Sequence, residues 1–227
     1  MQRREGGFIG SDAWPAQDES AQENHFRRSA RAMKCPSCDK SLREPAPQCP
    51  HCKLRLRALD LKFGAVPLHA GYLTDRTERL PAGEIASLRQ LLGLFGRKFP
   101  QSIFSVFVVA LPHGSAVNEY AFWLANRALF SAPDATGPKN FDILLVVDTT
   151  AGAASLTVGY GLEHQVTETD LKDALNGAAE AFGDGEIPAG IRVCVERLME
   201  AMREKAMEVE AEPPEPWDAP LASKESK

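Results

Sequence analysis

The chain has 227 residues, room for one mid-sized domain and a small module, with 44% hydrophobic and 25% charged residues. That mixture is ordinary for a soluble globular protein, and no apolar run approaches the ~18 residues a membrane helix needs. Charge is uneven: Arg27 to Lys62 carries ten Lys/Arg against three Asp/Glu, a formal +7, while the whole chain is −5, which leaves −12 elsewhere. Such asymmetry points to segments with different partners.

The opening MQRREGGFIGSDAW has basic residues but lacks the apolar stretch of an export signal, so a cytoplasmic chain is expected. Residues 1–32 are polar without an apolar period and are expected to be disordered, apart from a short helix around Glu19 to Met33.

Residues 33–57 form a cysteine module. CPSCDKSLREPAPQCPHC is Cys-x2-Cys, ten residues, Cys-x2-Cys, and supplies Cys35, Cys38, Cys49 and Cys52. Each pair makes a tight knuckle with two sulfurs on one side of the backbone. Two knuckles give the four thiolates that Zn2+ takes in closed structural sites. So small a module has little core of its own, and metal binding would supply its folding energy. The pattern resembles a short zinc ribbon. His51, inside the second knuckle, is read as a non-ligand because four sulfurs already fill the site. A closed site leaves no position for water or substrate, so this zinc is structural rather than catalytic. The fifth cysteine, Cys194, stands alone at helical spacing with Ile191, Val195 and Leu198 and is read as core packing. Around the knuckles, Arg27, Arg28, Arg31, Lys53, Arg55, Arg57 and Lys62 could contact nucleic-acid phosphates or an acidic protein surface. Aromatic residues for base stacking are sparse there, only Phe26 and Phe63. A protein partner is therefore the stronger expectation, with nucleic acid the alternative; the plainest reading of these charges is a solvated face.

Residues 58–71, ALDLKFGAVPLHAG, are read as a linker. Leu59, Leu61 and Phe63 alternate with polar residues, which predicts a short strand or an extended segment before Gly64, Pro67 and Gly71 break it.

The main domain is placed at 72–208. Pro81 marks a helix start. Ile85, Leu88, Leu91, Leu92, Phe95 and Phe99 then give one apolar helix face, which Pro100 ends. SIFSVFVVAL reads as a buried strand. HGSAVNEYAFWLANRALF is a second helix with Ser115 as its cap. FDILLVVD is a strand buried on both faces, TTAGAA a hairpin-like turn and SLTVGYG the next strand. A third helix runs from Glu168 to Phe182 and a fourth from about Pro188 to Glu208. The order predicts an α/β fold: a mixed three- or four-stranded sheet flanked by helices on both faces, with the ILLVV and LTV strands as antiparallel neighbours. His113 and His164 are read as loop residues. Residues 209–227 are acidic and proline-rich and are expected to be disordered. Trp217 is an isolated aromatic there, an exposed residue or a short docking motif.

Gly159 and Gly161 are spaced like the first two glycines of a dinucleotide fingerprint, but the helix start signal, Thr167 with Asp170, comes well after them. In a dinucleotide site the glycines open the helix themselves. The loop is therefore read as a strand-to-helix turn, with glycine admitting positive φ and close backbone approach.

Four stretches together resemble the TPM domain family, which includes thylakoid acid phosphatases and photosystem II repair proteins. YLTDRTERLP (72–81) is similar to the family's opening V-x-D-x-x-x-x-L-s, with Asp75 on the aspartate. NFDILLVV (140–147) is like its D-N-G-V-L-L-L strand. VGYGLE (158–163) matches its G-x-G-L-E. FGDGEIPAGI (182–191) is similar to its f-x-x-G-D-Y-x-x-G-l, with Gly185, Glu186, Ile187 and Gly190 aligned. The likeness covers about Tyr72 to Lys205. It implies an α/β sandwich and, in some members, metal-assisted phosphate-ester hydrolysis. Acids converging on a divalent cation such as Ca2+ or Mg2+ would polarise the phosphoryl group. Asp75 and Glu163 match the family's acids. Asp142 lies beside the acidic position, which Asn140 occupies. Asp148, at the end of its strand, is a further candidate. Two features depart from the pattern: Asn140-Phe141-Asp142 replaces the D-N-G turn, and no arginine precedes the G-x-G-L-E strand, where AGAASLT carries no charge. On balance the sequence reads as an interaction or ligand-binding module, with a divalent-metal-dependent phosphatase and a nucleic-acid-associated protein as alternatives.

Overall fold

A computed structural model of the chain describes residues 33–42, 47–64, 71–128, 142–163 and 165–211. The first element is the short hairpin β1 (Met33–Lys34) and β2 (Ser41–Leu42) of the cysteine module, followed by helix α1 (Leu56–Phe63). The main domain then runs β3 (Leu73–Asp75), α2 (Ala82–Lys98), β4 (Ile103–Val109), α3 (Val117–Arg127), β5 (Asp142–Asp148), β6 (Ala153–Val158), a 3-10 turn (Tyr160–Leu162), α4 (Glu168–Gly183) and α5 (Ile187–Ala211). The sheet order is β3-β4-β5-β6, with β3, β4 and β5 parallel and β6 antiparallel to β5. The expected mixed α/β sheet is present, and the ILLVV and LTV strands are antiparallel neighbours.

Side-chain alternation sorts the helices onto two faces. Val106 sits opposite Leu145 and Val108 opposite Val147. These residues share one core with Leu88, Leu92 and Phe95 of α2, Phe182 of α4, and Ile191, Val195 and Leu198 of α5. Phe107, Leu144 and Val146 face the other way, into a second core with Tyr120, Trp123 and Leu124 of α3 and Leu59 of α1. Strands covered on both faces must be apolar throughout, which is why β4 and β5 read as unbroken hydrophobic runs. Both parallel crossovers step the same way across the sheet, yet α2 and α3 pack on opposite faces. The two crossovers therefore have opposite hands. Since about 98% of such crossovers are right-handed, one of them is the exception.

Local chemistry fixes the helix ends. Thr167 and Asp170 form the expected capping box on α4. Pro81 stands just before α2, as anticipated. Ser115 does not cap α3: Ala116 holds that position without a side-chain bond, and the Ser115 amide donates to the Pro112 carbonyl at 3.0 Å in the preceding turn. Between α4 and α5, Gly185 turns the chain at φ 81°. Gly190 has no room for a side chain, because a Cβ there would lie 2.3 Å from the Phe182 ring. Both glycines belong to the stretch that resembles the family motif, and each has its own steric reason. Cys194 is buried, and its thiol donates to the Ala174 carbonyl at 3.5 Å, a packing residue as expected.

Two elements differ from the sequence reading. Residues 56–63 are a helix, not a strand or extended linker. Leu56, Leu59 and Phe63 pack against the second core, while Leu61 is 84% exposed, so the spacing that matters is helical. The other is β3, a strand of only three residues within the stretch that resembles the TPM motif, too short to show a strand pattern. The last helix continues to Ala211, past the anticipated Glu208. The segments 1–32 and 212–227, including Trp217, lie outside the described residues, as do Asn140 and His164. Among the described residues no helix is long and apolar enough to cross a membrane.

Candidate functional site

The four knuckle cysteines converge. Cys35 and Cys52 sulfurs are 3.6 Å apart and those of Cys38 and Cys49 3.7 Å, with all four within 4.8 Å of one another. The two knuckles repeat one backbone pattern. In the first, the Asp39 amide donates to the Cys35 carbonyl at 2.9 Å and the Cys35 amide to the Lys40 carbonyl at 2.9 Å. In the second, Lys53 donates to Cys49 at 3.0 Å and Cys49 to Leu54 at 2.9 Å. Asp39 and Lys53 close the turns at φ 57° and 64°, a conformation that costs a residue with a Cβ about 1–2 kcal/mol. Cys35 and Cys49 are buried, Cys38 is half-buried and Cys52 exposed. The Cys52 amide donates to the Cys49 sulfur at 3.5 Å and holds that thiol low, at about 6. Burial pushes Cys35 up to about 12. The cluster can hold a metal ion; His51 is exposed and not part of it.

The module is tied to the domain by α1. Leu54 packs against both the cysteine cluster and the second core. Leu59 is 2% exposed, and the Phe63 ring lies 5.0 Å from Tyr120 and 5.4 Å from Trp123. The Asp60 carboxylate accepts from Arg127 at 2.8 and 2.7 Å and from the Trp123 indole at 3.1 Å. Hydrogen bonds from Arg127 hold its carboxyl below the usual range. Lys62 pairs with Glu119 at 2.8 Å and Lys34 with Glu168 at 2.7 Å. The sequence reading missed this docking; its signal was the three- and four-residue spacing of Leu56, Leu59 and Phe63.

The candidate acids lie at two ends of the sheet. Asp75 closes β3, and Asp148 closes β5. Asp75 is placed opposite Val108, one residue short of the level of Asp148. Asp142 opens β5, and its carbonyl accepts from the Gly159 amide at 2.8 Å, beside the loop that carries Glu163. Asp142 and Asp148 are the two ends of the seven-residue β5, about 20 Å apart. Asp75 thus stands with Asp148, and Asp142 with the Glu163 loop. Asp75 organises its own turn: it accepts from the Thr77 amide at 2.8 Å, the Thr77 hydroxyl at 2.7 Å and the Leu80 amide at 2.9 Å. Burial works to raise its pKa, and these bonds outweigh it, so the carboxyl titrates below its usual range. Asp148 is 3% exposed and accepts from the Leu111 amide at 3.0 Å and the Thr150 amide at 2.9 Å. Glu163 is half-buried just past the 3-10 turn. Gly161 lies within the right-handed 3-10 turn Tyr160–Leu162, whose residues have negative φ. That corrects the expectation of positive φ at Gly161.

A cleft of about 250 Å³ opens at the carboxyl ends of β3 and β4, between α1 and α3. Its walls include Lys62 and Phe63 of α1, Arg76 just after β3, Phe107 of β4, and Tyr120 and Trp123 of α3.

No curated protein matches the chain. Among solved structures it is similar to an N-terminal domain from Corynebacterium glutamicum (12% identity, TM-score 0.46, covering 58% of this chain and 80% of that one). It is also similar to an N-terminal domain from P. gingivalis (16%, 0.46, 59% and 83%) and to a protein of the psychrophilic bacterium Bizionia argentinensis (16%, 0.45, 57% and 86%). Residues 73–201 match the family model of the TPM domain. That match spans more than half of the sequence, and the chain belongs to the TPM domain family.

Proposed function

We propose that this chain is an interaction and ligand-binding module in which a structural zinc site fixes helix α1 against a TPM domain. The division of the acids between two ends of the sheet carries this reading. A single cation binds oxygen ligands within about 2.6 Å, and it cannot gather carboxylates about 20 Å apart. The two acids that share an end, Asp75 and Asp148, are each engaged by backbone amides.

Zinc is supported by the sulfur spacing. Four sulfurs about 2.3 Å from a tetrahedral centre lie about 3.8 Å apart. The 3.6 and 3.7 Å separations fit that edge. Cys35, Cys38, Cys49 and Cys52 would hold the ion, which adds folding energy to a module with little core. A four-thiolate site suits a reducing compartment and supports a cytoplasmic protein.

The phosphatase alternative, in the manner of the thylakoid members of the family, rests on Asp75 with Asp148 at the carboxyl ends of parallel strands, where α/β sheets bind ligands. Hydrolysis of p-nitrophenyl phosphate separates the two. The zinc-loaded chain would be assayed from acidic to neutral pH with Mg2+, Ca2+ and Mn2+, beside Asp75→Asn and Glu163→Ala. The binding-module reading expects no metal-dependent turnover above the variants. Turnover lost in either variant would make the protein an enzyme.

A further inference from the structure

The cysteine module runs into α1 through a short basic strip. Side chains alternate along it: Leu54 and Leu56 pack inward, while Lys53, Arg55 and Arg57 are exposed. Lys53 and Arg55 bond neutral oxygens, the Pro50 carbonyl at 2.9 Å and the Gln48 side chain at 2.6 Å. Arg57 takes part in no ion pair among the described residues; its charge is felt at Asp60, which Arg127 already holds at two points. One turn on from Arg57, on the same side of the helix, Leu61 is 84% exposed. The strip therefore offers three cations and one apolar side chain.

A segment of the inverse composition leaves α5 nearby. Lys205 of α5 pairs with Asp170 in the first turn of α4, and Lys34 of the cysteine module bonds Glu168 in that same turn at 2.7 Å. The end of α5 and the module thus meet at one helix start. Lys34 adjoins Cys35, whose sulfur is 3.6 Å from that of Cys52, and Lys53 follows Cys52. Beyond Ala211, EPPEPWD spaces Glu212, Glu215 and Asp218 three residues apart, with Trp217 among them. Pro213, Pro214 and Pro216 favour polyproline II, whose three-residue turn puts these acids on one side about 9 Å apart. Seven residues in that form reach about 22 Å.

We propose that residues 212–218 fold back onto this strip, with Glu212, Glu215 and Asp218 against Lys53, Arg55 and Arg57, and the Trp217 indole over Leu61 and the Arg57 guanidinium. Exposed ion pairs are weak one at a time. Here three act together with an aromatic contact to a cation. The segment is also tethered, which sets an effective concentration on the order of millimolar, and its prolines leave little chain entropy to lose on docking. It occupies the surface that an acidic protein partner needs, so such a partner must displace it. The contact is the same whether the domain binds or hydrolyses, so the fate of the binding-module reading does not decide it.

Proton–nitrogen NMR of the metal-loaded full chain tests it, with reciprocal readouts. The Trp217 indole N–H, identified among the three tryptophans by its loss in Trp217→Phe, reports changes made on the strip. The Leu61 amide reports changes made on the segment. At low salt, Arg55→Glu with Arg57→Glu should move the indole signal, and Glu215→Lys with Asp218→Lys should move the Leu61 amide. Each pair should lower the docked-to-free ratio about tenfold or more. About 1 M salt, where screening reaches ~3 Å, should move both signals the same way in the unaltered chain. Joining the two pairs restores opposite charges and should return both signals most of the way. The segment-side pair touches no described core residue, so it decides the matter alone where the strip-side pair disturbs α1. A Leu61 amide unmoved by the segment-side pair, or a charge swap that recovers nothing, would overturn the proposal. Signals that shift with chain concentration over about a tenfold range would overturn it too, because the occupant would then be the segment of a second copy.

Discussion

Leu59→Ala and Leu61→Ala, two positions apart on α1, should behave as opposites. Leu59 is 2% exposed in the second core, whereas Leu61 is 84% exposed. Truncating Leu59 removes three carbons' worth of burial, about 2.4 kcal/mol at ~0.8 kcal/mol for each. Buried Leu→Ala changes cost about 2–5 kcal/mol, the spread depending on how far the cavity collapses. The open cleft beside Phe63 leaves room to relax, so the lower part of that range, about 2–3 kcal/mol, is expected. An eight-residue helix does not stand alone in water, so the loss falls on α1 docking before it falls on the sheet. Hydrogen exchange reads this directly. The Leu59 and Gly64 amides, bonded to the Arg55 and Asp60 carbonyls, should exchange about 30- to 140-fold faster in Leu59→Ala, at about 1.4 kcal/mol per tenfold. Leu61→Ala should stay within about 0.5 kcal/mol of wild type. Equal effects of the two would restore the extended-strand reading, in which Leu59 and Leu61 share a face. No effect of Leu59→Ala would refute docking.

Other consequences follow from single contacts. Gly190→Ala places a Cβ 2.3 Å from the ring of Phe182, itself only 2% exposed, and should destabilise by about 1–3 kcal/mol in urea denaturation. Adding Phe182→Leu should recover part of that loss. Asp75→Asn should cost about 1–2 kcal/mol at neutral pH, because the amide keeps one acceptor oxygen and can no longer accept from both Thr77 and Leu80. The folded carboxyl titrates below its usual range, so its contribution is complete above the unfolded value near 3.9 and fades as pH falls through the folded value. The gap between wild type and Asp75→Asn in urea midpoint should therefore close in acid. Cys49→Ser should abolish stoichiometric zinc in the purified chain, measured by elemental analysis, while the sheet's far-ultraviolet signal persists.

The sheet was legible because its strands are covered on both faces. β4 and β5 had to be unbroken apolar runs, and the short turn from Thr149 to Gly152 left β6 no neighbour but β5. The cysteine cluster was legible from spacing alone, since each knuckle needs only local backbone bonds. α1 was not. Its residues 59, 61 and 63 fit a two-residue period as well as a helix, and only the partner surface on α3 decides between them. The three-residue β3 carries too little pattern to register as a strand, and its pairing to β4 is non-local. The acids were identified one by one, but their division between the two ends of the sheet depends on strand direction and register, which no local motif records. The cleft was hidden for the same reason: Phe63, Arg76 and Trp123 meet only after three elements pack.

The most direct test of the account is hydrogen exchange of the full chain before and after a chelator removes its metal. If the metal folds the knuckles and α1 completes the binding surface, chelation should remove protection from Cys49 to Gly64 and leave β4 and β5 protected. Unchanged protection at Leu59 and Gly64 after complete metal removal would contradict it.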